Sequence, residues 1–128
     1  MTWLPEPEGA MTFDAVFSLC PDAHERFGEL YDALWTGGID ASTLDVCRDR
    51  IEARVRCEPH LLDESALAPA ARTAVRFAEQ YALDPHGLTD RDFELLHEHY
   101  SDAQIASLVL AAAMFDARAR FSVALGVS

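Results

Sequence analysis

Apolar residues recur along the chain at the three- and four-residue spacing that is typical of amphipathic helices, and no alternating pattern predicts a β-strand. The first clear helix is predicted over residues 22–35. It should end before Gly37-Gly38, because glycine tolerates the left-handed backbone that closes many helices. Its apolar stripe consists of Phe27, Leu30, Tyr31, Leu34 and Trp35.

Two more helices are predicted before the turn at residues 84–87. Asp40 or Ser42 could cap the second helix, which should stop near Glu58 because Pro59 disfavours helical backbone in the residue before it. Its apolar face consists of Leu44, Cys47, Ile51 and Val55, and Arg48, Arg50, Glu52 and Arg54 lie mostly on the other face. The third helix begins near Pro69 and buries Ala71, Ala74, Val75, Ala78 and Tyr81, with Phe77 at the edge.

Capping residues mark the last two helices. Thr89-x-x-Asp92 opens a short fourth helix, and Ser101-x-x-Gln104 matches the capping box that starts many helices. This box predicts a long final helix over residues 102–125, which Gly126 closes.

The middle of the final helix, residues 105–115, is apolar nearly all round and must be covered on several sides, by its own domain or by another subunit. The pattern as a whole predicts an all-α, single-domain bundle of about five to six helices over residues 21–128, which forms oligomers. An irregular arm over residues 1–20 precedes it. Within this arm Thr12 could cap a short helix, or residues 11–20 could form a buried extended segment.

The charge of the chain limits its partners. Acidic residues outnumber basic ones by 22 to 10, which gives a formal net charge of −12. Such a surface repels phosphate backbones and anionic lipid headgroups, so nucleic acid and membrane are not expected partners.

The cellular compartment is predicted from the N-terminus, the hydropathy and the cysteines. The N-terminus lacks the basic and apolar regions of a secretory signal. The longest apolar run is far shorter than the roughly 20 residues that span a bilayer. Three cysteines, Cys20, Cys47 and Cys57, show no disulfide pattern, which fits a reducing compartment. We expect a cytoplasmic protein.

Two parts of the chain carry a family resemblance. The stretch from Arg72 to Val127 contains Arg-Thr-Ala-Val-Arg-Phe-Ala-Glu-Gln-Tyr, then Tyr-Ser-Asp-Ala-Gln-Ile, and finally Ala-Arg-Phe-Ser-Val-Ala-Leu-Gly-Val. In order, spacing and capping it resembles the C-terminal part of the alkylhydroperoxidase-D / carboxymuconolactone-decarboxylase family, and residues 31–56 resemble the preceding helix pair. The resemblance implies an all-helical homo-oligomer (dimer, trimer or hexamer) that acts on a small-molecule substrate or ligand.

The redox motif of that family is altered in this chain. Its peroxidases carry Cys-x-x-Cys at a helix start, a glutamate twelve residues upstream and a histidine four residues after the second cysteine. The corresponding residues are Cys57, His60 in place of the second cysteine, Asp45 and Glu64. The resemblance implies that Cys57 is the nucleophile, His60 its base and activator, and Asp45 and Glu64 proton relays. No cofactor and no metal ion is expected.

A single sulfur cannot form a disulfide with itself, so Cys47, Cys20 or an external thiol reductant would have to resolve an oxidised Cys57. If Pro59 begins a helix, the i, i+3 spacing places Cys57 and His60 on one side, where a protonated imidazole favours the thiolate. A metal site of Cys57, His60 and Glu64 is a weaker alternative, because no fourth ligand is evident.

Other residues also permit two interpretations. Arg118 and Arg120 could hold a substrate carboxylate or pair with carboxylates of the protein itself or of a neighbouring subunit. Phe27, Tyr31 and Trp35 could line a ligand pocket or form part of the core.

Two classes of function are therefore predicted. The first is an enzyme, either a single-cysteine thiol peroxidase or a decarboxylase-like acid–base catalyst. The second is a non-catalytic oligomeric scaffold or small-ligand-binding protein that has lost the dithiol chemistry, since a fold alone does not determine an activity.

Overall fold

The computed structural model describes residues 12–127, which form six α-helices and contain no β-strand. The helices are α1 (Phe13–Phe17), α2 (Pro21–Ala33), α3 (Ala41–Val55), α4 (Pro69–Leu83), α5 (Asp90–His97) and α6 (Asp102–Leu125). Short 3-10 turns cover Leu34–Thr36, Glu64–Ala66 and Pro85–Gly87. The all-α prediction is confirmed for these residues. The predicted arm covers residues 1–20; its first eleven residues lie outside the described part, and α1 lies in its remainder.

The core forms where α3 packs against both α4 and α6. Its largest fully buried side chains are Phe115, Leu44, Ile51, Leu96, Leu108, Val75 and Cys47. No helix within residues 12–127 is both long enough and apolar enough to cross a membrane.

The predicted caps of α1, α5 and α6 are confirmed, whereas Asp40 precedes α3 without a side-chain capping bond and Ser42 lies within that helix. The hydroxyl groups of Thr12, Thr89 and Ser101 each accept a hydrogen bond from the first turn of the helix that follows. Gln104 completes the capping box of α6 by accepting from the Ser101 N–H, and its Nε2 donates to the carbonyl of Gly38 at 2.9 Å. The start of α6 is thereby joined to the loop that precedes α3.

The helix ends differ more from the prediction. The α2 helix ends at Ala33 and continues only as a 3-10 turn, and α3 ends at Val55 instead of near Glu58. The stripe on α2 is only partly covered, since Leu30 is 42% exposed. Phe77, expected at the edge of α4, is buried in the core.

Arg50 was expected on the solvent face of α3, but the structure buries it at 7% exposure. Its Nε lies 3.5 Å from Glu79 on α4, and the same carboxylate accepts a hydrogen bond from Arg54 at 2.9 Å. Burial of a charge is tolerated here because an opposite charge on the neighbouring helix accompanies it.

The final helix is covered mainly by its own domain. Ala111 and Ala112 are buried at the centre of the bundle, whereas Leu110 is 43% exposed. The final helix was predicted to need cover on several sides. Its own domain covers most of its surface, and one stripe faces outward.

Candidate functional site

Cys57 is the first residue beyond the capping residue of α3, and its φ of 55° is the one positive φ of a non-glycine residue within residues 12–127. Its N–H donates to the carbonyl of Arg54 at 3.2 Å, and the Glu58 N–H donates to Ala53 at 2.8 Å. These two bonds define a Schellman turn, in which glycine usually occupies the position of Cys57. Cys57 therefore ends a helix.

The condition for pairing Cys57 with His60 on a helix is not met. Residues 58–63 form no helix after Pro59, and the next element is the 3-10 turn Glu64–Ala66. The chain thus departs from the arrangement in which a reactive cysteine stands at a helix start.

A groove of about 650 Å³ lies beside Cys57, where α3 and α6 both end. The α6 helix closes with the same kind of turn, since the N–H groups of Gly126 and Val127 donate to Val123 and Ser122. Carbonyl groups at helix C-terminal ends carry partial negative charge, which favours a cation over a thiolate. Arg56 also lines the groove and supplies the opposite charge.

The two carboxylates proposed as relays are paired elsewhere. Asp45 lies 3.3 Å from Arg48 on the same helix, and it precedes Val55 by ten residues, about 15 Å along the helix axis. The Glu64 carboxylate lies 3.6 Å from Arg76 on α4. His60 is partly buried, and its Nδ1 has no hydrogen-bond partner within the described residues.

Cys47 is an unsuitable resolving thiol. It is 1% exposed in the core of the bundle, and burial raises the pKa of its thiol to about 12. It precedes the end of α3 by eight residues, about 12 Å, whereas the Cα atoms of a disulfide lie within about 7 Å. Cys20 is exposed and free, like Cys57.

The alternative interpretation, a metal site, requires several ligand side chains to lie close together. Within residues 12–127, no group of three or more histidine, cysteine, aspartate or glutamate side chains is placed to hold a metal ion. The proposed set of Cys57, His60 and Glu64 therefore does not form a ligand cluster.

A second cavity, of about 420 Å³, lies at the opposite end of α3, where the first turns of α3 and α4 meet the turn between α5 and α6. We name it the α3–α4 cavity. Its lining includes Asp40, Thr43, Leu67, Ala71, His99 and Tyr100. The sequence predicted Asp40 as a possible cap of α3, and no sequence feature singled out Thr43.

Tyr100 borders the α3–α4 cavity and is partly buried. Burial raises the pKa of its hydroxyl, and the negative charge of Asp40 raises it further. A tyrosine hydroxyl is protonated at neutral pH even at its ordinary pKa of about 10, so Tyr100 is a hydrogen-bond donor at the border of the cavity.

The arginines of α6 are both engaged with the protein itself. Arg120 pairs with Asp116 at 2.9 Å and donates to the carbonyl of Ala82. The Arg118 guanidinium lies over the rings of Phe13 and Tyr31, 4.9 Å and 5.5 Å from their centroids. Phe27 and Tyr31 border a small cavity of about 220 Å³ beside it, and Trp35 packs against Phe115.

Comparison with known proteins does not identify a family. No protein-family model matches this chain, and no curated protein gives a significant match.

Proposed function

We propose that this protein binds a small molecule in the α3–α4 cavity, within a divergent alkylhydroperoxidase-D-like helical fold that has lost the dithiol chemistry. The observation that carries this proposal is the cavity itself, whose lining combines two hydroxyl-bearing residues, Thr43 and Tyr100, with apolar residues such as Leu67 and Ala71. Its volume of about 420 Å³ lies within the range of small-molecule sites, about 300–1,000 Å³.

The altered motif supports the same conclusion. A dithiol peroxidase needs two sulfurs that meet, an activated thiolate and nearby proton relays. Here Cys47 is buried away from Cys57, and Asp45 is paired with Arg48 on another part of α3. These residues do not meet, and binding therefore accounts for the geometry better than dithiol catalysis does.

The test is a screen of a small-fragment library by two-dimensional ¹⁵N–¹H NMR. Fragments that bind in the cavity should shift the amides of Thr43, Ala71 and Tyr100 in a saturable manner. The variant Ala71→Leu fills part of the cavity and should abolish these shifts, whereas Ala23→Leu, on an exposed position of α2, should not. If no fragment shifts these amides, or if Ala71→Leu binds as well as wild type, the proposal is wrong.

A single-cysteine thiol peroxidase is the second candidate, favoured by the conformation of Cys57. An exposed cysteine holds a left-handed backbone that a glycine would adopt at lower cost, and such strained positions are enriched at functional sites. In this reaction the Cys57 thiolate attacks the terminal oxygen of the hydroperoxide, and the O–O bond breaks. The hydroxyl group stays on sulfur as a sulfenic acid, and the departing alkoxide takes a proton from water and leaves as the alcohol. An external thiol would then reduce the sulfenic acid.

Hydroperoxide consumption with dithiothreitol distinguishes this candidate, with Cys57→Ser beside wild type and Cys20→Ser as the control for an exposed thiol. Turnover that is lost only in Cys57→Ser establishes peroxidase chemistry. Turnover at the background rate in wild type excludes it.

The homo-oligomer that the resemblance implies belongs to the same proposal. Exposed apolar residues recur on α6 at intervals of three, four or seven residues, namely at Ala103, Ala106, Leu110, Ala117 and Ala124. Ala113, which lies between them, is partly exposed. This spacing forms one apolar stripe along the helix, which a second copy of the chain could cover.

A further inference from the structure

The first turns of α3 and α4 both border the α3–α4 cavity, and neither is capped by a side chain. Neither turn contains an acidic residue, whereas α1, α5 and α6 have both a capping side chain and an acidic residue there. The N–H groups of a first turn have no partner within the helix and carry partial positive charge. In this protein those of Ser42, Thr43, Ala70 and Ala71 belong to residues that line one cavity.

Thr43 provides a second and independent indication of a ligand. The residue is 6% exposed and borders the cavity. Thr36 and Thr73 donate their hydroxyl hydrogens to the carbonyls of Ala33 and Pro69, whereas the Thr43 hydroxyl makes no hydrogen bond to any part of the chain within residues 12–127. The fully enclosed side-chain atoms that lack a partner within residues 12–127 do not include this hydroxyl, so it is open to the cavity that Thr43 lines, and a ligand there could accept its hydrogen bond.

The other charged and titratable groups of the lining are Asp40, His99 and Tyr100. The Tyr100 hydroxyl is a donor, as described above. Asp40 is the N-cap residue of α3 but forms no capping hydrogen bond, and its exposed carboxylate opposes an anion. Asp40 should therefore weaken the binding of an anion in the cavity, and an experiment can measure this effect.

We infer that the α3–α4 cavity binds the anionic head of its ligand, a carboxylate or phosphate group, through the first-turn N–H groups of α3 and α4 and the hydroxyls of Thr43 and Tyr100. This inference rests on the proposed function, since it specifies the chemical class of the bound molecule. Helix N-termini are established anion sites because their N–H groups and dipole act together. Two such termini and two hydroxyl donors surround the same space here.

The test is a ¹⁵N–¹H NMR titration with sodium acetate and with sodium phosphate at constant ionic strength, with sodium chloride as the reference anion. Acetate or phosphate should shift the amides of Ser42, Thr43, Ala70 and Ala71 in a saturable manner, with a Kd on the order of 1–10 mM for so small a probe. The anion that saturates at the lower concentration identifies the head group. Chloride should give no saturable shift.

Two variants and one control make the test specific. Thr43→Val removes the hydroxyl at nearly constant volume and should weaken binding about tenfold, as expected for a hydrogen bond to a charged group. Thr73→Val removes a hydroxyl that lies outside the cavity and should leave the Kd unchanged. Asp40→Asn keeps a good N-cap residue and removes the opposing charge, so it should strengthen binding severalfold.

The inference is overturned if neither anion gives saturable shifts at these amides, or if Thr43→Val and Asp40→Asn both bind as wild type does. Uncharged fragments that bind in the cavity while acetate and phosphate do not would leave the proposed function intact and refute the anionic head. If neither fragments nor anions bind there, both proposals fail.

Discussion

At the scale of single residues, Cys57 combines an ordinary structural role with an unfavourable residue type. Its left-handed backbone ends α3, and a side chain with a Cβ is strained in that conformation. We therefore expect Cys57→Gly to raise the free energy of unfolding by about 1 kcal/mol. Urea unfolding followed by helical circular dichroism measures this.

Gly126 provides the matched control, because it ends α6 in the same turn with a φ of 66°. The substitution Gly126→Ala should lower the free energy of unfolding by about 1 kcal/mol. A loss of stability in Cys57→Gly would instead show that the cysteine side chain makes a stabilising contact in the groove.

The buried thiol of Cys47 predicts a loss of stability at alkaline pH. Burial raises its pKa to about 12 in the folded protein, whereas the thiol of an unfolded cysteine titrates at about 8.5. Below the pKa of the unfolded cysteine, the Cys47 thiol makes its full contribution to the free energy of unfolding. This contribution is lost as the pH rises toward the pKa of the folded protein, because the unfolded chain releases the proton first. The free energy of unfolding should fall by up to about 1.4 kcal/mol per pH unit in this window.

Cys47→Ala removes this titration. Although the variant should be less stable than wild type at pH 7.5, the difference should narrow between about pH 8.5 and pH 10, where urea unfolding can be compared directly. Cys20→Ala is the control, because Cys20 is exposed. A difference from wild type that stays constant across this range would contradict the assignment.

At the scale of elements, Arg50, Arg54 and Glu79 join α3 to α4. Two guanidinium groups share one carboxylate, and Arg50 is nearly inaccessible to water. Glu79→Gln keeps the shape but leaves both arginines without their opposite charge, so we expect a loss of about 2–3 kcal/mol in the free energy of unfolding. Glu94→Gln, which breaks the exposed pair with Arg91, should cost less than about 0.5 kcal/mol. Equal effects in chemical denaturation would refute the role of Glu79.

The starts of the helices could be predicted from the sequence because their signals are local. Thr89 and Ser101 stand directly before the helices that they cap, and each carries its partner three residues later. The predicted end of α3, near Glu58, was wrong by about three residues. The reason is that Cys57 occupies the position of the glycine that usually marks such a turn. The burial of Arg50 could not be seen locally either, since its partner Glu79 lies on another helix.

At the scale of the whole molecule, the candidate sites show what the sequence could not determine. Spacing taken from the family motif grouped Asp45 with Cys57, but Asp45 lies ten residues, about 15 Å along the helix axis, before Val55, where α3 ends. The α3–α4 cavity combines residues near positions 40, 70 and 100, which only tertiary packing brings together. Its sequence signal is weak. Neither first turn is acidic, but Asp40 has the sequence of an ordinary cap, and only the structure shows that its side chain forms no capping hydrogen bond.

The outward-facing stripe of α6 predicts that copies of the chain associate with one another. The exposed stripe of α6 centres on Leu110 and is otherwise formed mostly by alanines, which allow two helices to approach closely. The net charge of −12 on each copy opposes association, so the oligomer should strengthen as salt screens that repulsion. Size-exclusion chromatography with light scattering should therefore give a multiple of the subunit mass that increases or persists from low to physiological salt.

Leu110→Glu should convert this oligomer to a monomer, because it places a charge in the centre of the apolar stripe. Leu83→Glu is the matched control, since Leu83 is 60% exposed at the end of α4, outside the stripe, and its substitution should not change the mass. A wild-type protein that is monomeric at every salt concentration would refute the assembly. An oligomer that both variants preserve would show that another surface forms the interface.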